Sequence, residues 1–145
     1  MGWGKGFLVK KYLVAKCHLS EIEHFNKMES NNISQIFEGK IPIDWYSCRD
    51  EGMGELLGCF GLLVIGRTAH LRGWFVDAKY RKQGLGSQLV KQAERIAYEL
   101  EYAKLSVKTA QHRIMQRMNF HRSGKVYKTF NGREYYKMRE ELYHL

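Results

Sequence analysis

The sequence predicts an α+β fold of the α/β/α type, with a mixed, mostly antiparallel central sheet of about six or seven strands and flanking helices. Three stretches carry that expectation. Residues 43–77 read as successive strands joined by tight turns, an antiparallel meander. Residues 85–100 form the clearest amphipathic helix of the chain and lie between two strand-like segments, as in a parallel crossover. Residues 125–138 read as a hairpin with Asn131-Gly132 at its turn. A chain of 145 residues can bury one proper core, so residues 1–145 are expected to form a single domain.

Taken in order, "FLVKKYLVAK" (7–16) alternates loosely and is rich in β-formers, which makes it a first strand. "SEIE" (20–23) has the form of a capping box, with Ser20 as N-cap and Glu23 reaching back; Ile22, Phe25, Ile33, Ile36 and Phe37 then keep helical spacing up to Gly39. Strands follow at 43–50, 56–66 and 69–77, separated by the turns "EGMGE" and "RT". The long helix places Leu85, Leu89, Ala93, Ile96, Ala97 and Leu100 on one face, opposite Gln88, Lys91, Gln92, Glu94, Arg95 and Glu99. A strand at 104–109, a short helix at 111–118 and the hairpin strands 125–130 and 133–138 complete the chain.

The net charge of +9 is unevenly spread. Residues 104–145 hold ten Lys/Arg against three Glu, so the C-terminal third carries most of the surplus. A concentrated positive field raises the local concentration of anionic ligands, whether phosphorylated cofactors, nucleic acid or acidic proteins. Cys17, Cys48 and Cys59 are odd in number, widely spaced and without a CxxC pair, which argues against a disulfide frame or a zinc site. Reduced thiols, no leader-like N-terminus and no apolar run of about 18 residues together predict a cytoplasmic chain with no membrane partner. The histidines and carboxylates show no HExxH-like spacing, so no metal is expected.

"YRKQGLGSQLV" (80–90) raises the functional question, because Gly84 and Gly86 stand where a helix is about to begin. Glycine in a helical turn costs roughly 0.5–1 kcal/mol relative to alanine. The first amides of a helix lack internal partners and sit at the positive end of its dipole, so bare backbone there suits a pyrophosphate. Arg81 and Lys82 add charge. The Walker pattern is absent, and the third glycine of a dinucleotide fingerprint is replaced by Leu89.

"FVDAKYRKQGLGSQLV" resembles the acyl-coenzyme A binding motif of the GNAT N-acetyltransferases. Val76, Tyr80, Arg81, Gly84 and Gly86 match its signature, while Ala78 stands where proline is usual. The resemblance implies a V-shaped split between the strands at 69–77 and 104–109, with the pantetheine arm slotted in like an extra strand. It implies acetyl-CoA as co-substrate, contacted by Trp74, Phe75, Val76, Arg81, Lys82, Gln83, Gly84, Leu85, Gly86 and Ser87, with Arg113 and Arg117 suited to the 3′-phosphate. An amide near Phe75 or Val76 would stabilise the oxyanion. Lys108 stands where many members have asparagine. The usual tyrosine acid falls at Met115, which has no proton to give, so either Tyr127, Tyr135, Tyr136 or Cys59 replaces it, or the thiolate leaves unassisted, or the site is inactive. Glu55, Asp77, His70 and His112 are the candidate bases, beside a water relay.

By this resemblance the chain acetylates a primary amine by direct attack in a ternary complex. The acceptor would be a small molecule such as a polyamine, a peptide or protein lysine, or a modified nucleobase, and the enzyme could be a homodimer. The alternative is a non-catalytic GNAT-like module that senses acyl-CoA or binds nucleic acid.

Overall fold

The computed structural model describes residues 11–23, 25, 43–109, 111–130 and 133–142. The segment 7–10, the helical spacing beyond Phe25 and the Asn131-Gly132 turn lie outside the described residues. The strands are β1 (Tyr12–Cys17), β2 (Asp44–Asp50), β3 (Leu56–Ile65), β4 (Thr68–Val76), β5 (Lys104–Thr109), β6 (His121–Phe130) and β7 (Arg133–Glu141). The helices are α1 (Leu85–Glu99) and α2 (His112–Arg117), with 3-10 turns at Leu19–Glu21 and Ala78–Tyr80. The seven strands hydrogen-bond in the order β1-β2-β3-β4-β5-β7-β6, which is the mixed sheet that the sequence predicts.

Backbone contacts cluster into two compact units, Met1–Leu63 with Arg72–Ala93, and Val64–Leu71 with Glu94–Leu145. In the first unit, β1 and β2 pair antiparallel from Tyr12↔Asp50 to Cys17↔Trp45, and β2 pairs antiparallel with β3. Its core gathers Ile22, Phe25, Trp45, Leu56, Cys59 and Phe75, with Cys17, Leu19 and Ile43 packed against them. Each fully buried side chain of that size contributes about 1.5–3 kcal/mol. In the second unit, β4 and β5 pair parallel over Thr68–Leu71 and Lys104–Val107. Both strands continue past the last of these pairs. β7 pairs antiparallel with β5 on one side and β6 on the other.

Three expectations shift. The N-terminal cap is at His18, whose N–H donates to Glu21 Oε2 at 2.9 Å, rather than at Ser20 with Glu23. β6 begins at His121 instead of 125, because Gly124 at φ 97° accommodates an irregular register between Arg122 and Val126. Leu100, assigned to the buried face of the long helix, is half exposed. The helix has already ended: Tyr102 N–H donates to Ala97 O and Glu101 N–H to Tyr98 O, a Schellman closure with Glu101 in the left-handed region at φ 63°.

Candidate functional site

The glycine-rich loop and everything that braces it lie in the first unit. Gly73, at φ 57° within β4, bends the strand just before Trp74, Phe75 and Val76. A Cβ at Gly73 would stand 2.7 Å from the Trp45 ring, so the indole of Trp45 fixes that bend from below. Phe75 sends its ring into the core, 4.7 Å from Phe25, and therefore has only its backbone to offer a ligand. Arg81 turns back on the same strand. Its Nε donates to Val76 O at 2.8 Å, and its guanidinium lies 5.1 Å from the Phe75 ring. The cation expected at a phosphate thus buttresses the end of β4.

The chain between β4 and the loop is stapled to the start of β3. Asp77 N–H donates to Leu57 O at 2.8 Å, and the buried Asp77 carboxylate accepts from Lys79 N–H at 3.0 Å, capping the Ala78–Tyr80 turn. Glu55 Oε1 pairs with Lys79 Nζ at 3.0 Å. The Tyr80 hydroxyl bonds to Glu55 as well, and that bond first, then Lys79, holds the Glu55 carboxyl below its ordinary range. Burial, followed by the Glu55 bond, pushes the Tyr80 phenol up to about 12. Glu55 is therefore a weakened base engaged in holding the loop.

The loop itself opens the helix. Gly84, at φ 83°, is its N-cap, with its carbonyl accepting from Gln88 N–H at 3.1 Å. The amides of Leu85, Gly86 and Ser87 consequently fall in the first turn, which has no acceptors of its own. A Cβ built on Gly84 meets nothing within 4 Å among the described residues, so the loop is open on that side. In the preceding residue, Gln83 Oε1 is buried and has no hydrogen-bond partner among the described residues. Lys82 is exposed and held at φ 63°, a conformation that costs a non-glycine residue about 1–2 kcal/mol. Leu85 buries its side chain, leaving its amide for binding.

Gly86 has a different reason to be bare. Trp74 Nε1 donates to Gly86 O at 3.0 Å, and a Cβ at 86 would stand 3.4 Å from the Trp74 ring. The two glycines that the sequence groups together therefore serve two ends, an open mouth at 84 and a seat for the indole at 86. Nothing in the sequence signals this indole bond or the return of Arg81 to Val76.

The other sequence candidates fall elsewhere. Cys59 is fully buried, its thiol donates to Gly73 O at 3.4 Å, and burial pushes its pKa up. Met115 is also fully buried, so the position read as a vacated acid is an apolar core position. The Tyr136 hydroxyl donates to Glu134 Oε1 at 3.3 Å, and the Arg122 guanidinium lies 4.7 Å from its ring. Tyr127 is on β6 and His112 on α2, and both side chains lie outside the described residues. Arg113 and Arg117 are exposed on α2 in the second unit, and His70 is half-buried opposite Ser106. Among the described residues no group of His, Cys, Asp and Glu could hold a metal ion, and no helix is long and apolar enough to cross a membrane.

Solved structures similar to this chain include the IAA acetyltransferase of Bacillus cereus, at 18% identity and TM-score 0.75, covering 91% of this chain and 100% of that one. The alanine N-acetyltransferase of a ribosomal protein from Escherichia coli is similar at 16% identity and TM-score 0.73, over 92% and 96% of the two chains. The spermidine N-acetyltransferase of Vibrio cholerae, in complex with CoA and spermine, is similar at 13% identity and TM-score 0.71, over 90% and 95%. No curated protein matches the sequence. The model of the acetyltransferase (GNAT) family matches residues 16–124, which run from the end of β1 into β6 and include the whole glycine-rich loop. The chain belongs to the acetyltransferase (GNAT) family.

Proposed function

We propose that this chain is an N-acetyltransferase that carries an acetyl group from acetyl-CoA to a primary amine. The observation that carries the reading is the helix mouth at Gly84, open on its Cβ side among the described residues, with first-turn amides at Leu85, Gly86 and Ser87. Such a mouth suits the diphosphate of a coenzyme A thioester. Lys82 supplies charge there, and the backbone of Trp74, Phe75 and Val76 offers the pantetheine arm a strand to lie along. Relatives of this fold include enzymes named for spermidine and for a ribosomal-protein alanine, so a polyamine, a peptide amine and a modified nucleobase are the acceptor classes to test. Three free thiols suit a reducing compartment such as the cytoplasm.

The chemistry needs a neutral amine, although an alkylamine titrates near pH 10.4. Nitrogen attacks the thioester carbon, the C–N bond forms, the C–S bond breaks, and the thiolate leaves. An amide of Phe75 or Val76 holds the oxyanion in between. Of the candidate bases in the first unit, Asp77 is engaged in capping and Glu55 is depressed, so a water relay is the better acceptor there for the amine proton. The thiolate leaves unassisted, as a fairly acidic leaving group can, or takes a proton from one of the tyrosines named above.

Replacing Gly84 with Glu tests the reading, because a carboxylate in the mouth repels the diphosphate; the position faces open space, so the core is spared and the cost is the backbone strain of a side chain at φ 83°. Calorimetry should detect acetyl-CoA binding to the native chain and none to Gly84→Glu. Thiol release should appear when the native chain is given acetyl-CoA with one of the three amine classes. Equal acetyl-CoA affinity in both proteins refutes the loop assignment.

A further inference from the structure

We infer that the Trp74 side chain is a positioning residue, a brace that sets the register between the amides facing the diphosphate and those facing the thioester. This rests on the reading above. The indole Nε1 donates to Gly86 O at 3.0 Å, inside the first turn of α1, while the Trp74 backbone immediately precedes Phe75 and Val76 on β4. One rigid side chain thus joins the strand that would hold the acyl end to the turn that would hold the diphosphate. The ring also lies against the bare face of Gly86, where a Cβ would come to 3.4 Å, so the first turn can neither slide nor rotate without losing the bond. Behind Trp74, Gly73 in its left-handed conformation is held by the Trp45 ring, which fixes the other end of the brace.

Such a brace matters only to a ligand that spans both ends. A two-ended ligand gains from the preset spacing as a linked pair of modules gains from effective concentration, whereas a ligand occupying one end does not. Trp74→Phe keeps an aromatic ring against Gly86 and removes the N–H. The loss of one such bond should weaken acetyl-CoA about fivefold. ADP, which carries a diphosphate and no pantetheine, should change less than about twofold, since the loop amides themselves are untouched.

The test is calorimetry of acetyl-CoA and of ADP with the native chain and Trp74→Phe, each first shown to unfold cooperatively. A loss confined to acetyl-CoA in folded Trp74→Phe supports the brace. Equal losses for both ligands, or no loss for acetyl-CoA, overturn it. A native chain that binds neither ligand overturns the proposed function itself, a result distinguishable from failure of the brace alone.

Discussion

Lys82 concentrates the cost of the site in one residue. It adopts a left-handed backbone with no glycine to relieve it, at the loop where an anion would sit. Lys82→Gly should leave thermal stability equal or raise it by up to about 1 kcal/mol, because glycine accepts φ 63° without a Cβ penalty. The same change should weaken acetyl-CoA several-fold and flatten the salt dependence of binding. Calorimetry at two ionic strengths separates these effects; unchanged affinity would mean that the ammonium does not reach the diphosphate. Met115 is the converse case. The sequence presents it as an empty acid position, but the side chain is fully enclosed. Met115→Tyr should therefore cost about 1–3 kcal/mol through overpacking, measurable by denaturant unfolding, rather than raise turnover.

Among the elements, α1 is defined at both ends by left-handed residues, Gly84 before it and Glu101 after it. Its C-terminal closure uses the two Schellman bonds of Glu101 and Tyr102 but lacks the usual glycine. Glu101→Gly should raise stability by about 0.5–1 kcal/mol, and a melting temperature that falls would contradict the strain assigned to that turn. Regular patterns made most of these elements legible: β-rich runs gave β2 to β5 within a residue or so, and the apolar spacing of Leu85, Leu89, Ala93 and Ala97 gave α1. What periodicity does not encode was missed. The early start of β6 depends on a glycine bulge, and the cap at His18 depends on which glutamate can reach back. At the site, the motif located the loop, but Glu55 joining Lys79 and Tyr80, Arg81 turning back to Val76 and Trp74 reaching Gly86 are tertiary contacts without a local signature.

At the scale of the molecule, charge links stability to pH through its acidic pairs. Burial first, and then Glu94 beside it, raises the Glu140 carboxyl to about 8. The folded state therefore binds this proton more tightly than the unfolded state, so its contribution is complete below the ordinary carboxylate range and is lost as pH rises toward about 8. Glu55 has the opposite sign, losing its contribution as pH falls through and below the ordinary carboxylate range. Glu140→Gln should flatten the decline in melting temperature between mildly acidic and mildly alkaline solution; an unchanged slope would remove the pair from consideration. The basic surplus of residues 104–145 leaves the chain attractive to anions as a whole, so bulk affinity alone does not locate a phosphate site. Backbone amide NMR does so directly. On titration with acetyl-CoA, the largest shifts should fall on Gln83, Gly84, Leu85, Gly86 and Ser87, with Phe75 and Val76 responding when the acetyl end is present and less so to ADP. Saturable binding that leaves those amides unmoved would contradict the central claim that the mouth of α1 grips the diphosphate.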